Sequence, residues 1–166
     1  DKIFDIVNQL NIGIGLTNLR VQRDELANLN LIAGRKAKDS AAYETSIRYF
    51  LTGIELLGTE SWQRQYSLTL ALHNEAAEAA YLNGDFTETD QLVEQILHHA
   101  TGVLDCVRAY QARAGAYTAQ NNLQAAIDTI VSALGQLGEI VPRNPSRLRV
   151  GLELLRTRFW IVGRRS

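Results

Sequence analysis

The chain has 166 residues, 46% hydrophobic and 21% charged, with a net charge of −1, enough apolar material for one compact domain or several stacked small repeats. No basic, apolar, small-residue leader opens it and no run of about 18 apolar residues occurs, which speaks against secretion and membrane spanning. The single cysteine, Cys106, cannot form an internal disulfide; a reducing, cytoplasmic setting is expected, with the thiol acting as a small buried hydrophobe among Val103, Leu104 and Val107.

Only two prolines occur, Pro142 and Pro145, so nothing before them forbids continuous helix. Residues 1–20 read as a leading helix and a break: Lys2 to Leu10 is amphipathic, with Ile3, Phe4, Ile6, Val7 and Leu10 on the buried side, and Gly13, Ile14 and Gly15 interrupt it. A first helix pair is expected over 27–58, with one helix from Leu29 to Lys38, a break at Asp39 and Ser40, and a second helix carrying Tyr43, Ser46, Phe50 and Gly53. A second pair spans 70–100: Leu70 to Leu82, the turn Asn83, Gly84, Asp85, then Phe86, Thr89, Val93 and Ile96. A third spans 107–138: Val107 to Gln120, a turn at Asn121 and Asn122, then Leu123, Ala126, Ile130 and Ala133. Asn144 followed by Pro145 is a further helix start, giving a terminal helix over 145–163.

Local chemistry marks the same boundaries. Asp85 with Glu88 has the spacing of a capping box, Ser40 and Asn122 are candidate N-caps, and Gly84 and Gly138 can end helices at positive φ. The spacing from Tyr43 to Phe86 exceeds that from Phe86 to Leu123. The extra length is placed at Thr59 to Gln65, where Ser61 and Trp62 suggest an added turn lengthening the helix that reaches Asn83.

The pairs share one pattern. A small residue (Gly34, Ala77, Ala114) stands where the first helix meets its partner, and Tyr43, Phe86 and Leu123 follow at a fixed distance, with Ser46, Thr89 and Ala126 beyond them. These offsets resemble tetratricopeptide repeats, in which pairs that cannot bury their apolar faces alone stack on neighbours. The expected fold is therefore a single all-α domain, a tetratricopeptide-like right-handed superhelix of antiparallel helix pairs.

Longer stretches resemble a particular setting: Ile3 to Asn11, Glu25 to Leu31, Ala33 to Lys38, and then Ala42, Tyr43, Tyr49, Trp62, Tyr66 and Leu68 through Glu78 to Phe86. With Ala116, Tyr117, Ala119, Gln120, Asn121, Leu137 and Gly138, they are similar to the helical region following the ATPase module in large cyanobacterial-type multidomain serine/threonine kinases, which often carry GAF and histidine kinase modules as well. The resemblance implies a relay or scaffold segment whose partners are the neighbouring ATPase, kinase and sensor domains of the same chain. A start at Asp1 and an end just after an apolar stretch read as a fragment of such a larger protein.

Nothing points to chemistry within the segment. There is no GxxxxGK[ST] phosphate loop and no kinase HRD or DFG signature, so no catalytic residue, cofactor or metal is expected. Gly13 and Gly15 form a lone GxG without a preceding strand. His73, His98 and His99 lack the partners of a zinc site, and adjacent histidines on a helix diverge by about 100°. Glu75 and Glu78 form an i,i+3 carboxylate pair, read as a solvated or groove-lining face.

The terminal stretch from Arg143 holds seven arginines against Glu153 alone. Without interleaved stacking groups this footprint does not make a nucleic-acid motif. Phe159, Trp160, Ile161 and Val162 are expected to pack on a further repeat or to serve self-association. If first helices line a concave face, the candidate partner-binding residues are Asn28, Arg35, Lys38, Asn74, Glu78, Tyr81, Arg108 and Gln111. The reading is a non-catalytic interaction and relay module; its alternative is a sensor domain binding a small effector in the concave groove.

Overall fold

The computed structural model describes residues 2–13 and 20–139, and among these every regular element is helical. The helices are α1 (Lys2–Gly13), α2 (Arg20–Asp39), α3 (Tyr43–Leu57), α4 (Ser61–Arg64), α5 (Tyr66–Asn83), α6 (Phe86–His99), α7 (Val107–Ala119) and α8 (Leu123–Gln136), with a 3-10 turn at Val103–Cys106 before α7. Helices α2 and α3, α5 and α6, and α7 and α8 pack as successive pairs, and α5 also packs on α2, α3 and α7. The expected terminal helix over 145–163, with Phe159, Trp160, Ile161 and Val162, and the break at Ile14 and Gly15 lie outside the described residues.

Each pair turns in the same way. Ala41, Gly84 and Asn121 all have positive φ, at 57°, 82° and 58°. The next residue in each turn bonds back into the first helix: Ala42 N–H to Ala37 at 2.9 Å, Asp85 to Ala80 at 2.9 Å and Asn122 to Tyr117 at 2.8 Å. These are Schellman-type closures that satisfy orphan carbonyls.

Asp85 and Asn122 then cap the following helix, accepting from the amides of Glu88 and Ala125. The capping box at Asp85 closes on one side only, because the Asp85 amide is already spent on Ala80. Ser40 is no cap: its hydroxyl donates to the Lys36 carbonyl at 3.1 Å, and Ala42 precedes α3 without a side-chain bond. Asp85→Ala is therefore expected to destabilise the chain by about 1 kcal/mol, the usual cost of losing an N-cap, whereas Ser40→Ala leaves urea unfolding midpoints nearly unchanged.

The small positions sit where close approach requires them. A Cβ on Gly34 would lie 2.4 Å from the Phe50 ring, and one on Gly53 would lie 2.7 Å from Leu72. Phe50, Leu72, Val93 and Ile96 are fully buried in the core formed by α2, α3, α5 and α6. Ser46, Thr89 and Ala126, at matching positions of the second helices, are all buried, whereas Ile130 on α8 stays 49% exposed.

Three expectations are corrected. Helix α2 begins at Arg20, well before Leu29, because Leu26, Ala27, Asn30 and Leu31 continue its buried stripe. The added segment does not lengthen α5: Gln65 leaves helical geometry at φ −131° and ψ 46°, so α4 is a separate short helix. On α1 only Val7 is fully buried, with Ile3 and Phe4 partly covered, while Ile6 and Leu10 are 50% and 45% exposed. Polar contacts help to seat that helix: Asn11 and Asn30 exchange amide hydrogen bonds at 3.0 and 2.8 Å, Tyr49 Oη donates to Asn8 at 3.0 Å, and Phe4 stacks on Tyr49 at 5.7 Å.

Cys106 is buried, with Sγ 3.7 Å from the Gly102 carbonyl, and burial followed by the Asp105 charge pushes its thiol pKa up. Of the apolar neighbours expected around it, Val103 and Leu104 stay 39% and 77% exposed.

Candidate interaction surface

The first helices α2, α5 and α7 are joined by an ion-pair network centred on α5. Arg35 and Lys38 stand one turn apart near the end of α2, Glu75 and Glu78 one turn apart in α5, and Arg108 in the first turn of α7. Arg35 Nε donates to Glu75 at 3.1 Å, and Lys38 Nζ bridges Glu75 and Glu78 at 2.5 and 2.8 Å. Arg108 spans the same two carboxylates at 3.3 and 2.8 Å.

The Glu75 side chain is only 6% exposed and that of Lys38 15%, whereas Arg35 and Arg108 are 48% and 44% exposed. Burial pushes the Glu75 pKa up, but hydrogen bonding from Lys38 and the charges of Lys38, Arg108 and Arg35 outweigh it and hold the carboxyl below its ordinary range. For Lys38 burial acts downward and the bonds to Glu75 and Glu78 dominate, raising its pKa.

Four of the eight candidate residues, Arg35, Lys38, Glu78 and Arg108, thus converge: the three basic ones all bond Glu75, and Lys38 and Arg108 also bond Glu78. Asn28 and Gln111 are exposed at separate places on α2 and α7. Asn74 is 7% exposed with Oδ1 buried and unpaired, so it faces the interior of the array. Tyr81 is half-buried, its ring against Gly115 of α7, where a Cβ would lie 2.8 Å away. Glu75, the hub, is neither solvated nor groove-lining; basic residues on the two flanking first helices, set against an i,i+3 carboxylate pair, were the available signal.

A second cluster forms around α4. Trp62, 8% exposed, stacks on His99 with ring centroids 4.8 Å apart and planes 3° from parallel, and its ring lies 4.7 Å from that of His73. His73 and His99, distant in sequence, therefore share one aromatic neighbour. His73 is buried and its pKa is lowered, chiefly by desolvation. Elsewhere Arg64 pairs with Asp24, tying α4 to α2, and Arg113 bonds Asp90 and Glu94 at 3.2 and 2.5 Å, tying α7 to α6. No helix among the described residues is long and apolar enough to cross a membrane.

Stacked helical pairs cross-braced by charge define a helical scaffold with a polar surface along its first helices. The chain is 29% identical, over 154 residues covering 87% of its length, to a segment of the hybrid signal transduction histidine kinase G of Dictyostelium discoideum. It spans only 4% of that protein's length. No family model and no solved structure matches the chain.

Proposed function

We propose that this chain is a non-catalytic interaction and relay segment of a multidomain signal-transduction protein, built as a tetratricopeptide-like superhelix. The observation that carries this reading is the similarity of nearly the whole chain to one small part of a large signalling histidine kinase. The parent chain would be an ATP-dependent serine/threonine or histidine kinase acting in the cytoplasm, and the partners its own ATPase, kinase and sensor domains. The geometry suits such a role. A displacement of α2 reaches α7 through the Lys38, Glu75 and Arg108 contacts, so adjacent pairs respond together.

A small effector held in the concave groove is less well supported, because the charges there are answered within the protein. Exposed Asn28, Gln111 and the outer parts of Arg35 and Arg108 remain for a protein partner. The test is binding of this segment to the separately expressed flanking ATPase and sensor domains at low and moderate salt. Arg35→Ala and Gln111→Ala are expected to weaken binding about five- to tenfold, as central interface residues do, with salt weakening it further. Absence of binding to either neighbour overturns the relay reading.

A further inference from the structure

We propose that the cleft between the C-terminal ends of α3 and α6, floored by α4 and α5, is a binding site for a small organic cation, a primary amine or guanidine carried on an apolar body. The cleft is a solvent-open depression of about 510 Å³, lined by Ile54, Glu55 and Thr59 from α3 and its exit, Trp62 from α4, His73 from α5, and Gln95 and His99 from α6, among others. That volume falls within the range of small-molecule sites.

Four features give it one electrostatic sense. The last turns of α3 and α6 both contribute lining residues, and helix C-termini carry partial negative charge, which at α3 is shared with Arg64, donating to the Leu57 carbonyl at 3.2 Å. Glu55 adds a carboxylate at the rim, and no lysine or arginine is among the lining residues. His73 Nδ1 lies 2.8 Å from the Thr69 carbonyl and His99 Nδ1 lies 2.9 Å from that of Gln95. A carbonyl can only accept, so each Nδ1 carries a proton, and desolvation, which holds the His73 pKa down, leaves Nε2 of that ring an acceptor. Trp62, stacked on His99 with the His73 ring also against it, offers the cleft only an apolar edge for the stem of such a cation.

The site sits where the repeat spacing is broken. Helix α4 belongs to the inserted length between the first two pairs, and its Trp62 meets α5 and α6 without filling the space beside them. A residue serving only as a plug would close that volume.

The experiment is calorimetric titration of the full chain with phenethylamine and agmatine, using 2-phenylethanol as the uncharged comparator, with Trp62 fluorescence followed in the Trp160→Phe chain. The amines are expected to bind saturably with dissociation constants of about 1 mM or tighter, and the alcohol at least about tenfold more weakly. Glu55→Gln should weaken amine binding about tenfold, while Glu44→Gln, in the first turn of the same helix, leaves it unchanged. No saturable signal by about 10 mM, equal binding of the alcohol, or a Glu55→Gln chain that binds as the parent does would each overturn the proposal.

Discussion

Replacing Glu75 by glutamine is expected to lower stability near neutral pH by about 3 kcal/mol, the scale for removing one partner of a buried ion pair, and Tm by roughly 6–12 °C for a domain of this size. The substitution keeps shape and part of the hydrogen bonding but removes the charge that answers Arg35, Lys38 and Arg108 together. Lys38 suffers most, since it is largely buried and retains only Glu78, whereas Arg35 and Arg108 can turn to solvent.

The pH dependence distinguishes this from a packing defect. The folded Glu75 pKa lies below its unfolded value, so its stabilisation is fully present above the ordinary glutamate range and is lost as pH falls through the depressed folded value. The difference between parent and Glu75→Gln should thus be constant from about pH 6 to 8 and shrink below about pH 4. Lys38 has a raised pKa, so its contribution holds at neutral pH and fades only at strongly alkaline pH. Urea unfolding across this range is the measurement; a difference that persists unchanged in acid would show that the carboxylate charge is not the cause.

The second large effect lies at the crossing of α2 and α3. Phe50→Ala should cost about 3–5 kcal/mol, because its ring is fully buried. Gly34→Ala should cost about 1–3 kcal/mol through overpacking, offset by up to about 1 kcal/mol of helix propensity, since the new Cβ would fall 2.4 Å from that ring. In the double variant the alanine methyl occupies space the ring has vacated. The double is expected to be more stable than the sum of the singles by about 1–2 kcal/mol, read from urea midpoints of all four chains. Strict additivity would mean that Gly34 and Phe50 do not meet.

These two sites differ in how far the sequence disclosed them. Gly34 was legible because its place relative to Tyr43, Ser46 and Phe50 recurs at Ala77 and Ala114, and close helix crossings demand small residues there. The turns at Gly84 and Asn121 were legible for a similar reason, since glycine and asparagine tolerate the left-handed backbone; Ala41 adopts the same φ and gave no such sign. Glu75 was visible as half of a carboxylate pair, but its burial and its three partners depend on contacts across tens of residues. The same holds for His73 and His99, whose meeting at Trp62 depends on where the short helix α4 is laid.

By itself the sequence determined helical class, the order of the pairs and the residues at which most of them turn, because capping, helix periodicity and the small positions act over one or two turns of chain. The tertiary structure alone decided where α4 breaks from α5, which of Asn28, Arg35, Lys38, Asn74, Glu78, Tyr81, Arg108 and Gln111 stay open to a partner, and where the Trp62 cleft lies. Those outcomes depend on how one pair sits against the next, which sets desolvation and charge pairing between residues that no local pattern links.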